Sequence, residues 1–454
     1  MVLTRNAFRA LGVAAVFVLA LPASGQIPKE TPKESPKEPP KLSAEQEKAR
    51  EAFLGGKLDD AIKALQAAAK NDPTIAPPRV ILAQWSVQVQ QGQQARILIE
   101  EAAAEDPTHP QVFLANAGFA LNEGRISDAI LGCTEALRLA DSPRWDAERR
   151  KLFQRDARMG LVAAYERRGD IASARSILVS LLEADPRNAR MRYQLARANF
   201  LSMRQDDAFE ELKRAFKDDP TEIDPPEMAM AQFWSGKGDN AKAEEWWLKA
   251  VTTHAGSAKV QRGFAGYLLN VGRLDTAKTH LAAAQKIEPN ARDTKLLAGM
   301  CARYTKDYPT ATQILEELAR EHPSFGPATF NLALVLAEAG DANAKRRASE
   351  LAEGYVKQNQ RSADAWSLYA HCLSKAGRMA DAERAAQNVF ALGQAQLGLD
   401  GAYFVARVLA DRGANEQAHK LVKAIVEKKD WFLHRKESEA LLAELDKKVA
   451  PPKK

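Results

Sequence analysis

The sequence has little cysteine, and its few cysteines lie too far apart to share a site. Cys133, Cys301 and Cys372 are the three cysteines in 454 residues, and no CxxC pair occurs. An odd number of widely separated cysteines supports neither a zinc site nor a disulfide framework. We therefore expect each of them to be buried as a small apolar side chain.

Motifs of the common catalytic and nucleotide-binding sites are also absent. The sequence has no GxxxxGK followed by Ser or Thr, no GxGxxG, no HExxH and no GxSxG. No two histidines lie four residues apart, and we expect all seven at the surface or at helix ends: His109, His254, His280, His322, His371, His419 and His434. These absences predict a protein that is not an enzyme and that binds no cofactor and no metal.

The charge is nearly balanced. Lys and Arg number 65 against 59 Asp and Glu, which gives a formal net charge of +6. Nucleic-acid binding usually needs a concentrated basic face, and so small an excess does not indicate it. The length of 454 residues also exceeds what one compact core accommodates, so the chain should be divided into smaller structural units.

The N-terminus carries an apolar run, ALGVAAVFVLAL, at residues 10–21, preceded by two arginines and followed by Pro22 and Ala23-Ser24-Gly25. This order predicts a signal peptide over residues 1–25, cleaved after Gly25, and export to the periplasm or cell envelope of a bacterium. The run is shorter than the ~20 residues that span a bilayer. A leader that stays uncleaved and retains the protein at the membrane is the alternative.

Residues 26–41, QIPKETPKESPKEPPK, repeat Pro-Lys-Glu every four residues. Proline removes backbone donors and the charges keep the segment solvated, so this stretch predicts a disordered linker. Residues 449–454 should form a loose tail.

From residue 42 onward an alanine recurs with a period near 34 residues. We call these residues the register alanines: Ala61, Ala95, Ala129, Ala174, Ala208, Ala243, Ala277, Ala311, Ala348, Ala382 and Ala418. A second small residue lies twelve positions before ten of them, as Ala265 lies before Ala277, and Ala333 lies fifteen positions before Ala348. The period and the two small positions predict a pair of helices in each unit, which cross closely where a larger side chain would cost about 1–3 kcal/mol.

The boundaries of these helices are also marked in the sequence. Eight units have a glycine before the register alanine, five residues before it except for Gly340, which lies eight residues before Ala348. Such a glycine can end the first helix in a left-handed conformation: Gly56, Gly124, Gly169, Gly238, Gly272, Gly340, Gly377 and Gly413. Many units end at a proline, such as Pro289, which stops the second helix. One step of the period is longer because of residues 142–158, where Ser142 and Pro143 predict the start of an extended first helix.

This spacing of small, glycine and proline positions resembles the tetratricopeptide repeat family over residues 42–431. The resemblance implies an all-α fold, a right-handed α-solenoid of about eleven helix–turn–helix units. Residues 432–448 should form a capping helix that closes the last apolar face. It also implies a non-enzymatic scaffold that binds protein partners in a groove lined by the first helices of its units.

Transfer of the family's groove positions to this chain gives candidate partner-binding residues: Arg190, Tyr193, Arg197, Lys259, Arg262, Arg303, Phe330, Tyr403 and Arg407. A cationic groove with aromatic side chains would suit acidic or carboxylate-bearing peptides. The alternative is that these residues are the solvated charges of an ordinary helix surface.

A second hypothesis is an accessory protein of polysaccharide export or a glycan-binding protein of the envelope. Its basis is the aromatic cluster of Phe233, Trp234, Trp246 and Trp247. Trp234 and Trp247 fall on core positions of the resembled family, so packing accounts for them. Phe233 and Trp246 are the candidates for sugar stacking.

Overall fold

The computed structural model describes residues 43–71, 75–89, 91–393 and 397–449. The predicted signal peptide (1–25), the linker (26–41) and residues 450–454 of the tail lie outside the described residues. In the described ranges every regular element is a helix, which confirms the all-α class. No helix in these ranges has the length and the apolar character needed to cross a membrane.

The described residues form the helices α1 (Ala44–Leu54), α2 (Leu58–Asn71), α3 (Pro78–Gln88), α4 (Gly92–Glu105), α5 (Pro110–Asn122), α6 (Ile126–Ala140), α7 (Ala147–Arg168), α8 (Ile171–Ala184), α9 (Ala189–Leu201), α10 (Gln205–Asp218), α11 (Pro226–Lys237), α12 (Asn240–Thr253), α13 (Ala258–Asn270), α14 (Leu274–Ile287), α15 (Arg292–Tyr304), α16 (Tyr308–Glu321), α17 (Gly326–Ala339), α18 (Ala342–Gln358), α19 (Ala363–Lys375), α20 (Met379–Ala391), α21 (Leu399–Asp411), α22 (Asn415–Val426) and α23 (Arg435–Val449).

Consecutive helices pack in pairs, α1 with α2 through α21 with α22, and short turns join the two helices of each pair. The register alanine lies on the second helix of each pair, and all eleven of these alanines are completely buried. The partner position on the first helix is buried too, as at Ala265 and Ala333. The small residues are therefore where the two helices touch, as the sequence predicts.

The chain divides into two compact units, which we call the N-terminal unit (α1–α10) and the C-terminal unit (α11–α23). In both units first helices also contact the first helix of the next pair, for example α5 with α7 and α19 with α21. The buried residues form a series of local clusters between neighbouring pairs. Each unit is thus an α-solenoid, in which neighbouring pairs complete one another's core.

Seven of the eight predicted turn glycines have positive φ. The exception is Gly340, which ends α17 in an extended conformation (φ −77°, ψ 157°). All three cysteines are buried, as expected, and burial raises the pKa of the Cys133 thiol to about 12. The last helix starts at Arg435, later than the predicted residue 432, and Phe432 in the preceding segment is buried in the last hydrophobic cluster.

The insertion before α7 extends the first helix of its pair, as predicted, but the helix starts later than Ser142. Its N-cap is Asp146, whose carboxylate accepts a hydrogen bond from the Arg149 backbone N–H (2.8 Å). The preceding residues instead bury Trp145, whose indole N–H donates to the Leu139 carbonyl oxygen (3.0 Å). Four basic side chains of the insertion pair with carboxylates: Arg144 with Asp106, Arg149 with Asp146, Lys151 with Glu148 and Arg155 with Asp156.

Candidate functional site

The three candidate residues of the N-terminal unit lie on one face of α9. Arg190 is exposed and binds Glu222 through two contacts, Nε–Oε2 (2.6 Å) and Nη2–Oε1 (2.9 Å). Arg197 forms an ion pair with Glu166. Tyr193 packs on a small apolar cluster, and burial raises its pKa to about 12. The two arginines of this face are thus already bound to glutamates.

Three candidates of the C-terminal unit lie on α13 and α17. Lys259 is exposed, whereas the Arg262 guanidinium is mostly covered and lies 3.4 Å from a Glu288 carboxylate oxygen. Phe330 is half-buried, and its ring meets that of Tyr355 edge-on with centroids 5.5 Å apart. These three residues do not line the cavity that the remaining candidates share.

The remaining candidates, Arg303, Tyr403 and Arg407, line one cavity of about 800 Å³ in the C-terminal unit. Its walls come from the first helices α15, α17, α19 and α21, and from residues 431–439. These residues comprise the segment before α23 and the first turn of α23. Four successive first helices and a segment distant in sequence thus meet at one place. We call this space the first-helix cavity.

A buried ion pair forms part of the cavity wall. Arg303 is 3% exposed, and its Nε lies 3.1 and 3.0 Å from the two carboxylate oxygens of Glu338, which is itself buried. Burial opposes the charged guanidinium, but the Glu338 carboxylate outweighs it, so the pKa of Arg303 is raised. Arg303 therefore contributes to the wall as a neutralised pair.

The segment before α23 is held to the same wall by His434. The His434 Nδ1 lies 2.7 Å from the Asp400 Oδ1, which also accepts from the His434 backbone N–H (3.0 Å). The imidazole stacks on Tyr403 with centroids 5.0 Å apart. Burial acts to raise the pKa of Asp400, but the contacts with His434 outweigh it and lower that pKa. These contacts fix the segment across one side of the cavity.

His371 is a cavity residue that the sequence reasoning missed. The prediction of a surface or helix-end position is wrong here, because His371 lies within α19, is 6% exposed and stacks on Phe404 with centroids 3.9 Å apart. Its Nε2 has no hydrogen-bond partner. It follows the buried small residue of its first helix directly, the same position that Arg197 and Arg407 occupy. This shared position in the repeat is the sequence signal that could have identified His371 as a candidate residue.

The aromatic cluster on α11 and α12 is mostly core. Trp234 and Trp247 are 4% and 3% exposed, which confirms that packing accounts for them. Trp246 is half-buried, and the Lys249 ammonium lies 4.3 Å from the centroid of one of its rings. Phe233 is half-buried as well. One face of the Trp246 indole is thus covered by a side chain of its own helix.

The segment before α23 packs closely against the turn at Gly272 in the C-terminal unit. Gly272 has φ 77°, and an added Cβ would overlap the indole ring of Trp431. Gly377 has φ 78°, with no atom near its would-be Cβ. Both alanine substitutions should cost about 1–2 kcal/mol for the left-handed backbone, and Gly272→Ala should cost about 1–3 kcal/mol more for overpacking.

Urea unfolding of the two variants measures that difference. In a Trp431→Ala background the two glycine substitutions should become equally costly, because the overlapping ring is gone. An equal loss for both variants in the wild-type background would show that Trp431 is free to move away.

Comparison with known proteins identifies one part of the chain directly. Residues 155–198 match the family model of the tetratricopeptide repeat. No curated protein matches the sequence. Among solved structures, yeast Tom70 is 13% identical and aligns over 89% of this chain and 95% of its own, with a TM-score of 0.39.

Two further solved structures are similar to parts of the chain. A tetratricopeptide repeat protein from Parabacteroides merdae is 13% identical over 57% of this chain and 98% of its own, with a TM-score of 0.45. YrrB, described as a tetratricopeptide repeat protein with an unusual peptide-binding site, is 18% identical over 44% of this chain and 97% of its own, with a TM-score of 0.29.

Proposed function

We propose that this chain, in which residues 155–198 match the tetratricopeptide repeat model, is a non-enzymatic scaffold whose C-terminal unit binds a partner peptide at the first-helix cavity. The observation that carries the proposal is the cavity itself, which residues of four successive first helices line. A peptide that lies across such helices can contact each of them, which gives both affinity and sequence selectivity.

The chemistry of the lining indicates the character of the peptide. Tyr403, Phe404 and Trp431 supply apolar rings, which are the side chains enriched at interaction surfaces. The charged lining residues are six Lys or Arg against four Asp or Glu: Arg303, Lys306, Lys375, Arg407, Arg435 and Lys436 against Glu338, Asp411, Glu437 and Glu439. The excess of positive charge favours an acidic peptide that also carries an apolar anchor.

Selection of peptides from a random dodecapeptide phage library tests this proposal. Peptides selected on the purified protein should be enriched in Asp and Glu, and Arg407→Glu should weaken their binding at least about tenfold, the equivalent of 1.4 kcal/mol. The matched control is Arg190→Glu, which makes the same charge change at an ion-paired arginine of the N-terminal unit and should leave Kd unchanged. Equal binding to the wild type and to Arg407→Glu would reject the cavity as the binding site.

We also propose that the protein works in the cell envelope, on the basis of the signal peptide that the sequence predicts at residues 1–25. Mass spectrometry of the protein from its own cells should find Gln26 as the first residue in the periplasmic or envelope fraction. Recovery of the intact N-terminus in the cytosol would contradict this location.

A further inference from the structure

We infer that the first-helix cavity contains a binding site for a phosphate monoester group, formed by Lys306, Lys375, Lys436 and His371. The inference deepens the proposed function, since it names a chemical group that the same cavity would recognise. The four residues come from α15 and its following turn, from α19 and from α23, and all of them line the cavity.

The arginines of the cavity are already occupied. Arg303 is bound to Glu338, Arg407 contacts Asp411, and Arg435 lies 3.6 Å from Glu439. The planar fork of arginine is the group that matches a carboxylate through two parallel hydrogen bonds. An incoming acidic group must therefore compete with Asp411 and Glu439 for these guanidinium groups, whereas it meets no such competition at the lysines.

The lysines are in a different situation. In the described part of the chain, no Asp or Glu oxygen lies within 4 Å of the ammonium groups of Lys306, Lys375 and Lys436. Glu437 also has no ion-pair partner there. Three positive charges against one negative charge leave an excess of two. A phosphate monoester carries a charge near −1.5 to −2 at pH 7 and three acceptor oxygens, which matches this excess better than a single carboxylate does.

His371 supplies a second, independent indication of a ligand. A buried polar atom without a partner costs free energy, and among such atoms in the described residues His371 Nε2 is the one whose side chain lines the first-helix cavity. Burial, and then the charges of Lys375, His434 and Arg303, lower the pKa of His371 well below its usual value, so the ring is neutral at pH 7. A neutral imidazole keeps one N–H that can donate to a phosphate oxygen.

The backbone at Lys306 points in the same direction. Lys306 has φ 62° at a turn position where seven other pairs have glycine, and Met203 (φ 63°) is the other non-glycine residue with positive φ in the described residues. A side chain there costs about 1–2 kcal/mol relative to glycine. Lys306→Gly therefore removes the positive charge without destabilising the fold, so a change in ligand binding can be assigned to the charge.

Isothermal titration of the purified protein with phenyl phosphate tests the inference, with inorganic phosphate and benzoate as comparison ligands. Phenyl phosphate should bind more tightly than benzoate, since it carries the larger charge on the same ring. Lys306→Gly should weaken phenyl phosphate binding about tenfold while the Tm stays level or rises. The matched control Met203→Gly makes the same backbone change in the N-terminal unit and should leave Kd unchanged.

Three results would overturn the inference: no binding of phenyl phosphate at millimolar concentration, unchanged binding by Lys306→Gly, or benzoate binding as tightly as phenyl phosphate. A phosphotyrosine heptapeptide separates the sources of the group. Binding of this peptide at least as tight as that of phenyl phosphate assigns the group to a partner protein, and weaker binding assigns it to a small molecule. If the selected acidic peptides still depend on Arg407 while phenyl phosphate fails to bind, the inference falls and the proposed function stands.

Discussion

Glu338→Gln should destabilise the C-terminal unit by about 3–5 kcal/mol, the range measured when one partner of a buried ion pair is removed. The substitution keeps the shape of the side chain but removes its charge, which leaves the Arg303 guanidinium, 3% exposed, without its nearest counter-charge. Asp400 lies near enough to interact electrostatically with Arg303, so the loss should fall toward the lower end of this range. Urea unfolding followed by circular dichroism measures it.

A surface pair provides the matched control. Arg347 and Glu316 join two neighbouring helices in the same unit, but their side chains are 51% and 39% exposed. Glu316→Gln should cost no more than about 1 kcal/mol, because exposed ion pairs contribute little. Replacement of both buried partners, Arg303→Met with Glu338→Leu, should recover most of the loss. A cost for Glu338→Gln as small as that of the control would mean that water reaches Arg303.

The N-terminal unit should lose about 3 kcal/mol of stability between pH 6.5 and pH 4 through His109 alone. His109 caps α5, and its Nδ1 accepts a hydrogen bond from the Gln111 backbone N–H (3.2 Å), which requires an unprotonated nitrogen. Its ring packs edge-on against Trp145, with centroids 4.9 Å apart. Burial lowers the pKa of His109 to about 4, with Arg144 acting in the same direction and Asp106 against it.

The direction of this effect follows from the two pKa values. The unfolded chain takes up the proton near the ordinary value of 6.5, whereas the folded protein resists protonation down to about 4. The stabilisation is therefore complete above pH 6.5 and is lost as the pH falls toward 4. Asp106, whose pKa is lowered by hydrogen bonds from Arg144 and Thr108 despite its burial, loses its own contribution only at lower pH.

His109→Asn isolates this contribution, because asparagine is a good N-cap residue and does not titrate. Urea unfolding at pH 7.5, 5.5 and 4.5 should show a difference between wild type and His109→Asn that shrinks as the pH falls. A constant difference between wild type and His109→Asn across this range would show that His109 is protonated at no cost in the folded unit.

The sequence alone determined the pairing of helices, because the requirement for small side chains repeats at every close crossing and depends on neighbours within one unit. All eleven register alanines are completely buried for this reason. The sequence also determined that the three cysteines, Trp234 and Trp247 are buried, because their apolar side chains occupy core positions of the repeat.

Only the tertiary structure decided what the residues between these positions do. Arg197, His371 and Arg407 occupy the same position in their repeats, yet Arg197 and Arg407 are ion-paired whereas His371 is buried with an unpaired nitrogen. Arg197 pairs with Glu166 of the preceding helix pair, Arg407 lies near Glu444 of α23 (3.5 Å) as well as near Asp411 of its own helix, and His371 stacks on Phe404 of the next pair. The period of the sequence does not encode these contacts between repeats. The fold of this chain follows from contacts between neighbours in sequence, and the first-helix cavity follows from contacts between residues that are far apart.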